Sequence, residues 1–169
     1  MIYVCPLSKV GETVNATGAA RLISLLAAGT EMTRPETISQ QDHLLLSMHD
    51  IAEARDGMTL PGEAHIQSLL DFAGKWDRSR PLVVNCYAGI SRSTASAYII
   101  AAALSPKRDE AELANTLRAV SPSATPNPRL IAVADQILGR SGRMIEAIAA
   151  IGRGEDAFEG APFALRIDG

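Results

Sequence analysis

Cysteine is scarce. Only Cys5 and Cys86 stand in a chain of 169 residues, too few for a disulfide framework, so a reducing, cytoplasmic setting is expected. Long apolar runs are missing as well. The longest, Ala97 to Leu104, falls far short of the roughly 20 residues that a membrane span needs. Met1 to Pro6 has no basic stretch leading into an apolar one, so no secretion signal is expected. Charge of one sign does not accumulate either: the net charge of −3 argues against nucleic acid as the main partner and leaves a local phosphate site open. No spacing of His, Cys and Asp suggests a metal site, no cofactor is called for, and no internal repeat is found.

What is present suits one globular domain. Apolar residues make up 47% and charged residues 21%, close to ordinary globular usage, and the length supports one core but not two. We expect a single domain over residues 1–152. Residues 153–169, punctuated by Gly154, Gly160 and Pro162, read as a C-terminal tail, partly ordered at best.

The chain turns on Leu82 to Thr94. Leu82 to Val84 is a short apolar run that reads as a buried strand; it leads through Cys86 into small residues and then a helix beginning near Ser91. Such a loop can wrap a tetrahedral oxyanion. Its N–H groups, from Tyr87, Ala88, Gly89, Ile90, Ser91 and Arg92, can face inward, and the helix N-terminus adds partial positive charge. Gly89 suits the tight point, and Arg92 offers a planar fork for two oxygens. The same field favours the thiolate form of Cys86, a nucleophile in position. Ser93 can donate a hydrogen bond to that sulfur.

Cys86, Gly89, Arg92 and Ser93 resemble the Cys-x2-Gly-x2-Arg-Ser/Thr phosphate loop of the cysteine-dependent protein tyrosine and dual-specificity phosphatases. Asn85 departs from the pattern, because that family usually has His before the nucleophile. The resemblance implies a three-layer α/β/α sandwich on a short four-stranded parallel sheet, with the nucleophile strand central. The excess of Arg over Lys and the abundance of Ala suggest a small bacterial member.

The rest of the chain alternates strands and helices, as a parallel sheet covered on both faces requires. Strands are expected at Ile2–Cys5, Arg21–Leu26 and His43–Met48. Ser8 is expected to cap a short helix to about Ala16, and Pro61 to begin another with Ile66, Leu69, Leu70 and Ala73 on one face. Asp109 can cap a helix to Val120, Pro128 can start one to Leu138, and Arg143–Ile151 looks helical.

Phosphate-ester cleavage needs a proton for the leaving oxygen and then a base for water. The resemblance implies an Asp on a loop after a strand; Asp50 fits, and Asp56 competes with it. Asn127, between two prolines, resembles an Asn that supports the phosphate loop in dual-specificity enzymes, though an Asx turn explains it as well. His49 is read as a polar loop residue, and His43 and His65 receive no role. Cys5 ends the first strand at the same sheet edge as Cys86, which makes it a candidate redox partner, with an inert buried thiol as the alternative.

The leading functional reading is a phosphomonoester hydrolase that forms a phospho-cysteine intermediate on phosphotyrosine or dual-specificity substrates. Its partner would be a phosphorylated protein or a small phosphomonoester. A catalytically weakened phosphoprotein-binding module and a persulfide or arsenate enzyme remain alternatives. Inositol and lipid phosphates are less favoured, since Tyr87, Ala88, Ile90 and Ser91 bring no positive charge to the loop.

Overall fold

The computed structural model describes residues 1–168. Five strands form one sheet: β1 (Ile2–Pro6), β2 (Arg21–Leu26), β3 (His43–Ser47), β4 (Leu82–Cys86) and β5 (Phe163–Leu165). Six helices accompany them: α1 (Val10–Thr17), α2 (Glu63–Gly74), α3 (Arg92–Leu104), α4 (Glu110–Val120), α5 (Pro128–Ile137) and α6 (Arg143–Ile151). The strand order is β3-β2-β4-β1-β5. The first four strands are parallel, with β4 in the middle, as expected.

The fifth strand is a correction. The sheet is mixed, because β5 runs antiparallel to β1 and pairs Val4 with Phe163 and Ile2 with Leu165. Residues 153–169 had been expected as a tail, yet Leu165 is fully buried and Phe163 is buried beside the first strand. A three-residue strand that follows Gly160 and Pro162 gives too little alternation to read as one. Ser8 is a second correction. It lies inside a 3-10 turn (Leu7–Lys9) that leads into α1, and its hydroxyl donates to Glu159 Oε2 at 2.9 Å instead of capping the helix.

Two cores of unequal size cover the sheet. One side holds the small cluster of Cys5, Val10, Val14, Leu22 and Val83 under α1. On the other side Val4, Ile23, Val84 and Cys86 pack with residues from α2 to α6. Helix α3 is the axle of that larger core, buried continuously from Arg92 to Ala102. Its Ala and Ser side chains let neighbours approach on every side, which is why no single apolar stripe is visible in its sequence. Tyr98, fully buried, donates its hydroxyl to the Glu110 carbonyl at 2.9 Å, so its polar tip is satisfied inside the core.

Asp109 and Asn127 cap α4 and α5 through side-chain oxygens that accept helix N–H bonds. Among the described residues, no helix is long and apolar enough to cross a membrane.

Candidate active site

Strand β4 ends at Cys86, and α3 begins at Arg92, so the intervening loop sits at the carboxyl edge of the sheet. Carbonyls of the loop are tied from outside. Tyr87 O accepts from Leu7 N at 3.1 Å, Ala88 O from Gly160 N at 2.8 Å, Ile90 O from Thr125 N at 2.9 Å and Ser91 O from Asn127 N at 3.2 Å. A trans peptide places each following N–H opposite its carbonyl. The N–H groups of Ala88, Gly89, Ser91 and Arg92 are thereby turned to the inside of the loop. None of the N–H groups from Tyr87 to Arg92 has a protein acceptor among the described residues.

Gly89 has φ +71°, and a Cβ there would meet the backbone of Pro6 and Cys5 at 2.6 and 2.8 Å. Only glycine fits, since both the conformation and the approach to the end of β1 exclude a side chain. Gly160 seals the loop from the other flank. A Cβ at that position would lie 2.9 Å from Gly89 O.

Cys86 is buried, with Sγ 3.1 Å from the hydroxyl of Ser93, itself fully buried. Arg92 is only 7% exposed. Its Nη1 donates to Met48 O at 2.9 Å, which fixes the guanidinium against the end of β3, while Nε is buried without a protein partner. A buried cationic donor without an acceptor is costly, and an oxyanion within the loop would relieve it. Tyr87 points outward and is 62% exposed.

Asp50 opens the segment after β3. Its Oδ1 accepts from Ser91 Oγ at 2.7 Å and from Asn127 Nδ2 at 2.8 Å. Asn127 also donates to Ile51 O, and its Oδ1 accepts from the N–H groups of Arg129 and Leu130. One buried amide therefore links the Asp50 segment to the start of α5, and its backbone N–H holds the phosphate loop. Asp56 makes no side-chain hydrogen bond among the described residues. His49 clips the base of its segment to Thr59, and His65 accepts from Gly62 N–H at the start of α2.

Asn85 is fully buried on the other face of the sheet. Its Oδ1 accepts from Ser24 Oγ at 2.6 Å, and Ser24 Oγ lies 3.0 Å from His43 Nε2, so a polar chain that starts next to Cys86 in the sequence crosses three strands. Burial holds His43 below the usual histidine range, and Arg34 adds to the effect. Sequence reasoning missed this partnership. The alternation of His43, Leu44 and Leu45 marks a strand but does not say which strand lies beside it.

The structure does not bring Cys5 and Cys86 together. Cys5 is in register with Asn85 and Pro6 with Cys86, and side chains alternate faces along a strand. The two thiols consequently fall in opposite cores, and both are free. Cβ vectors that diverge in this way cannot be bridged without backbone movement. Burial pushes the Cys5 thiol up to about 11, partly offset by a hydrogen bond with Thr13.

The segment 153–160 is the other element that sequence did not place at the site. Gly154 N donates to Thr125 Oγ1, Glu155 N to Pro122 O and Gly160 N to Ala88 O, so one end of the segment is held by the loop before α5 and the other by the Cys86–Arg92 loop.

No family profile and no curated protein matches the sequence. Solved structures do match the fold. DUSP15 superposes with a TM-score of 0.63 at 17% identity, covering 92% of this chain and 94% of that one. The PTP-2 phosphatase of Cydia pomonella gives 0.62 at 15% identity over 80% and 84% of the two chains. A mouse chain described as a dual-specificity phosphatase and complexed with zinc tungstate gives 0.54 at 16% identity over 82% and 79%. The fold is that of the dual-specificity phosphatases. Within it, β4 and α3 bracket the Cys86 to Arg92 loop.

Proposed function

We propose that the protein is a cysteine-dependent phosphomonoester hydrolase acting on phosphotyrosine or dual-specificity substrates. The observation that carries this reading is Cys86 at the foot of a loop whose carbonyls are tied outward, with Arg92 buried beside it. Cys86 thiolate attacks phosphorus, so an S–P bond forms as the ester P–O bond breaks. Asp50 gives its proton to the departing alkoxide or phenoxide, and the Oδ2 oxygen, free of the bonds that hold Oδ1, is the atom placed to carry it. Asp50 then takes a proton from water as that water attacks phosphorus. The S–P bond breaks, phosphate leaves, and the Ser93 hydroxyl stabilises the returning thiolate.

The loop N–H groups and Arg92 act as an oxyanion cradle for the equatorial oxygens in both steps. The mouse neighbour's complex with zinc tungstate supports a fold able to receive a tetrahedral oxyanion. A reaction through a free thiol suits a reducing compartment such as the cytoplasm. Hydrolysis of p-nitrophenyl phosphate tests the reading. Turnover inhibited by vanadate and abolished in Cys86→Ser is expected, with phosphate still bound by that variant. Binding without turnover in the wild type would instead favour a phosphoprotein-binding module.

A further inference from the structure

The walls beside the phosphate cup are acidic. Asp50 is tied to the loop through Ser91, and the segment that ends in Gly160 is tied to it through Ala88; segments 50–56 and 153–159 together carry six carboxylates and two guanidiniums. Between them lies a cavity of about 270 Å³ lined by Ile90 and Ser91 of the loop, by Asp50, and by Arg153, Glu155 and Asp156. Arg153 is already engaged, since its Nη2 pairs with Asp156 Oδ1. Glu155 has its backbone fixed by Pro122 O, yet its side chain is exposed and makes no hydrogen bond among the described residues.

The cup itself points to an anion. Arg92 is 93% buried by the complement of its 7% exposure, with Nε unpartnered. A ligand whose phosphate occupies the cup can extend its remaining atoms into the adjoining cavity, because Ile90 and Ser91 of the loop also line that cavity. One pole of the ligand therefore meets positive charge and the next meets carboxylates.

We propose that Glu155 selects phosphomonoesters with a cationic group next to the phosphorylated one, as in a phosphopeptide with Arg or Lys beside its phosphotyrosine. The proposal rests on the phosphatase activity above and deepens it. Carboxylates around the mouth attract such a flank and repel a second phosphate, so they also turn away inositol polyphosphates and anionic lipid headgroups. Phe158, 93% exposed between the clasped ends of the segment, adds an apolar surface at the same margin.

Competing phosphotyrosine peptides that differ only in an Arg or a Glu beside the phosphotyrosine provide the test, with p-nitrophenyl phosphate and an inositol bisphosphate as further substrates. An Arg preference of about tenfold in kcat/KM is expected at low salt, falling toward unity at about 1 M salt, where the screening length is about 3 Å. The variant Glu155→Gln, which leaves the Arg153–Asp156 pair in place, should lose the preference, its melting temperature serving as the check on folding. Should that variant not fold, the salt titration of the wild type decides alone. Equal rates on the two peptides, a Glu preference, or faster turnover of the inositol bisphosphate would overturn the selection while p-nitrophenyl phosphate is still hydrolysed. Failure on p-nitrophenyl phosphate as well would remove the activity itself, and the selection with it.

Discussion

Ser91 and Asp50 are joined by a hydrogen bond of 2.7 Å from the serine hydroxyl to Oδ1. The carboxyl that follows β3 is thus tethered to the loop that follows Cys86, and Asp56 is not. Asp50→Asn should lower turnover about 10²-fold or more with phosphate binding nearly intact, whereas Asp56→Asn should change little. Single-turnover kinetics with an aryl phosphate measure both. Comparable losses in the two variants would reassign the proton donor.

Asn127 makes two separable contributions. Asn127→Ala removes the cap of α5, at a cost of about 1 kcal/mol, together with the donor that holds Asp50. Asn127→Asp keeps an oxygen to accept the Arg129 and Leu130 N–H bonds but has no amide hydrogen to give Asp50. Its second oxygen would face Asp50 Oδ1 and the Ile51 carbonyl inside the protein, so we expect Asn127→Asp to lose roughly tenfold in turnover and to melt below the wild type as well. Equal activity in wild type and Asn127→Asp would show that the tether to Asp50 is dispensable.

Gly89→Ala should damage the cup outright. The positive φ alone costs about 2 kcal/mol, and the new Cβ would run into backbone at 2.6 Å, which cannot yield as a flexible side chain can. Loss of phosphate binding and a lower melting temperature should appear together; retention of both would show that the loop can be rebuilt around a methyl group.

Much of this was open to reading before any coordinates, and the reason is local. Cys86, Gly89, Arg92 and Ser93 lie within one strand, one turn and one helix end, where spacing determines geometry. Caps at Asp109 and Asn127 are legible for the same cause, since their partners lie two or three residues away. What stayed hidden depends on distant segments. Gly160 reads as a break in a tail until Ala88 is seen to accept its N–H, and Ser24 reads as an ordinary strand residue until β2 is seen beside β4. Cys5 was placed at the correct sheet edge, but its face follows from the register with Asn85, which sequence alone does not supply.

Glu110 should make the fold sensitive to acid. Its carboxylate is buried between Arg140 and Arg143, at 2.9 and 3.2 Å. Burial alone would raise it, but the hydrogen bond from Arg143 and the other bonds it receives hold it below the usual carboxylate range. The unfolded chain therefore takes up a proton first as pH falls, so this contribution is present above the ordinary glutamate value and fades below it. Glu110→Gln should cost about 3 kcal/mol at neutral pH by leaving Arg140 without its counter-charge, and should flatten the decline between pH 5 and pH 3. Urea midpoints across that range provide the measurement; parallel curves for the two proteins would refute it.

Cys5 should remain a spectator in redox chemistry. With its thiol pushed up to about 11 it stays protonated through physiological pH, so iodoacetate should label Cys86 well ahead of it. Peptide mapping after peroxide treatment should find oxidised Cys86 and no Cys5–Cys86 cross-link. A cross-linked peptide would require the two faces of the sheet to exchange residues at that edge.

The hydrogen bond from Gly160 to Ala88 also carries a temporal meaning. A nascent chain extended only as far as Ile151 already contains Cys86 and all four parallel strands, but not the segment that closes the loop's far flank. Gly160 is synthesised after all four parallel strands, so on a growing chain this contact closes after the central sheet can pair. The far flank of the Cys86 loop would then close after the sheet beneath it, so the loop takes its final shape late in folding.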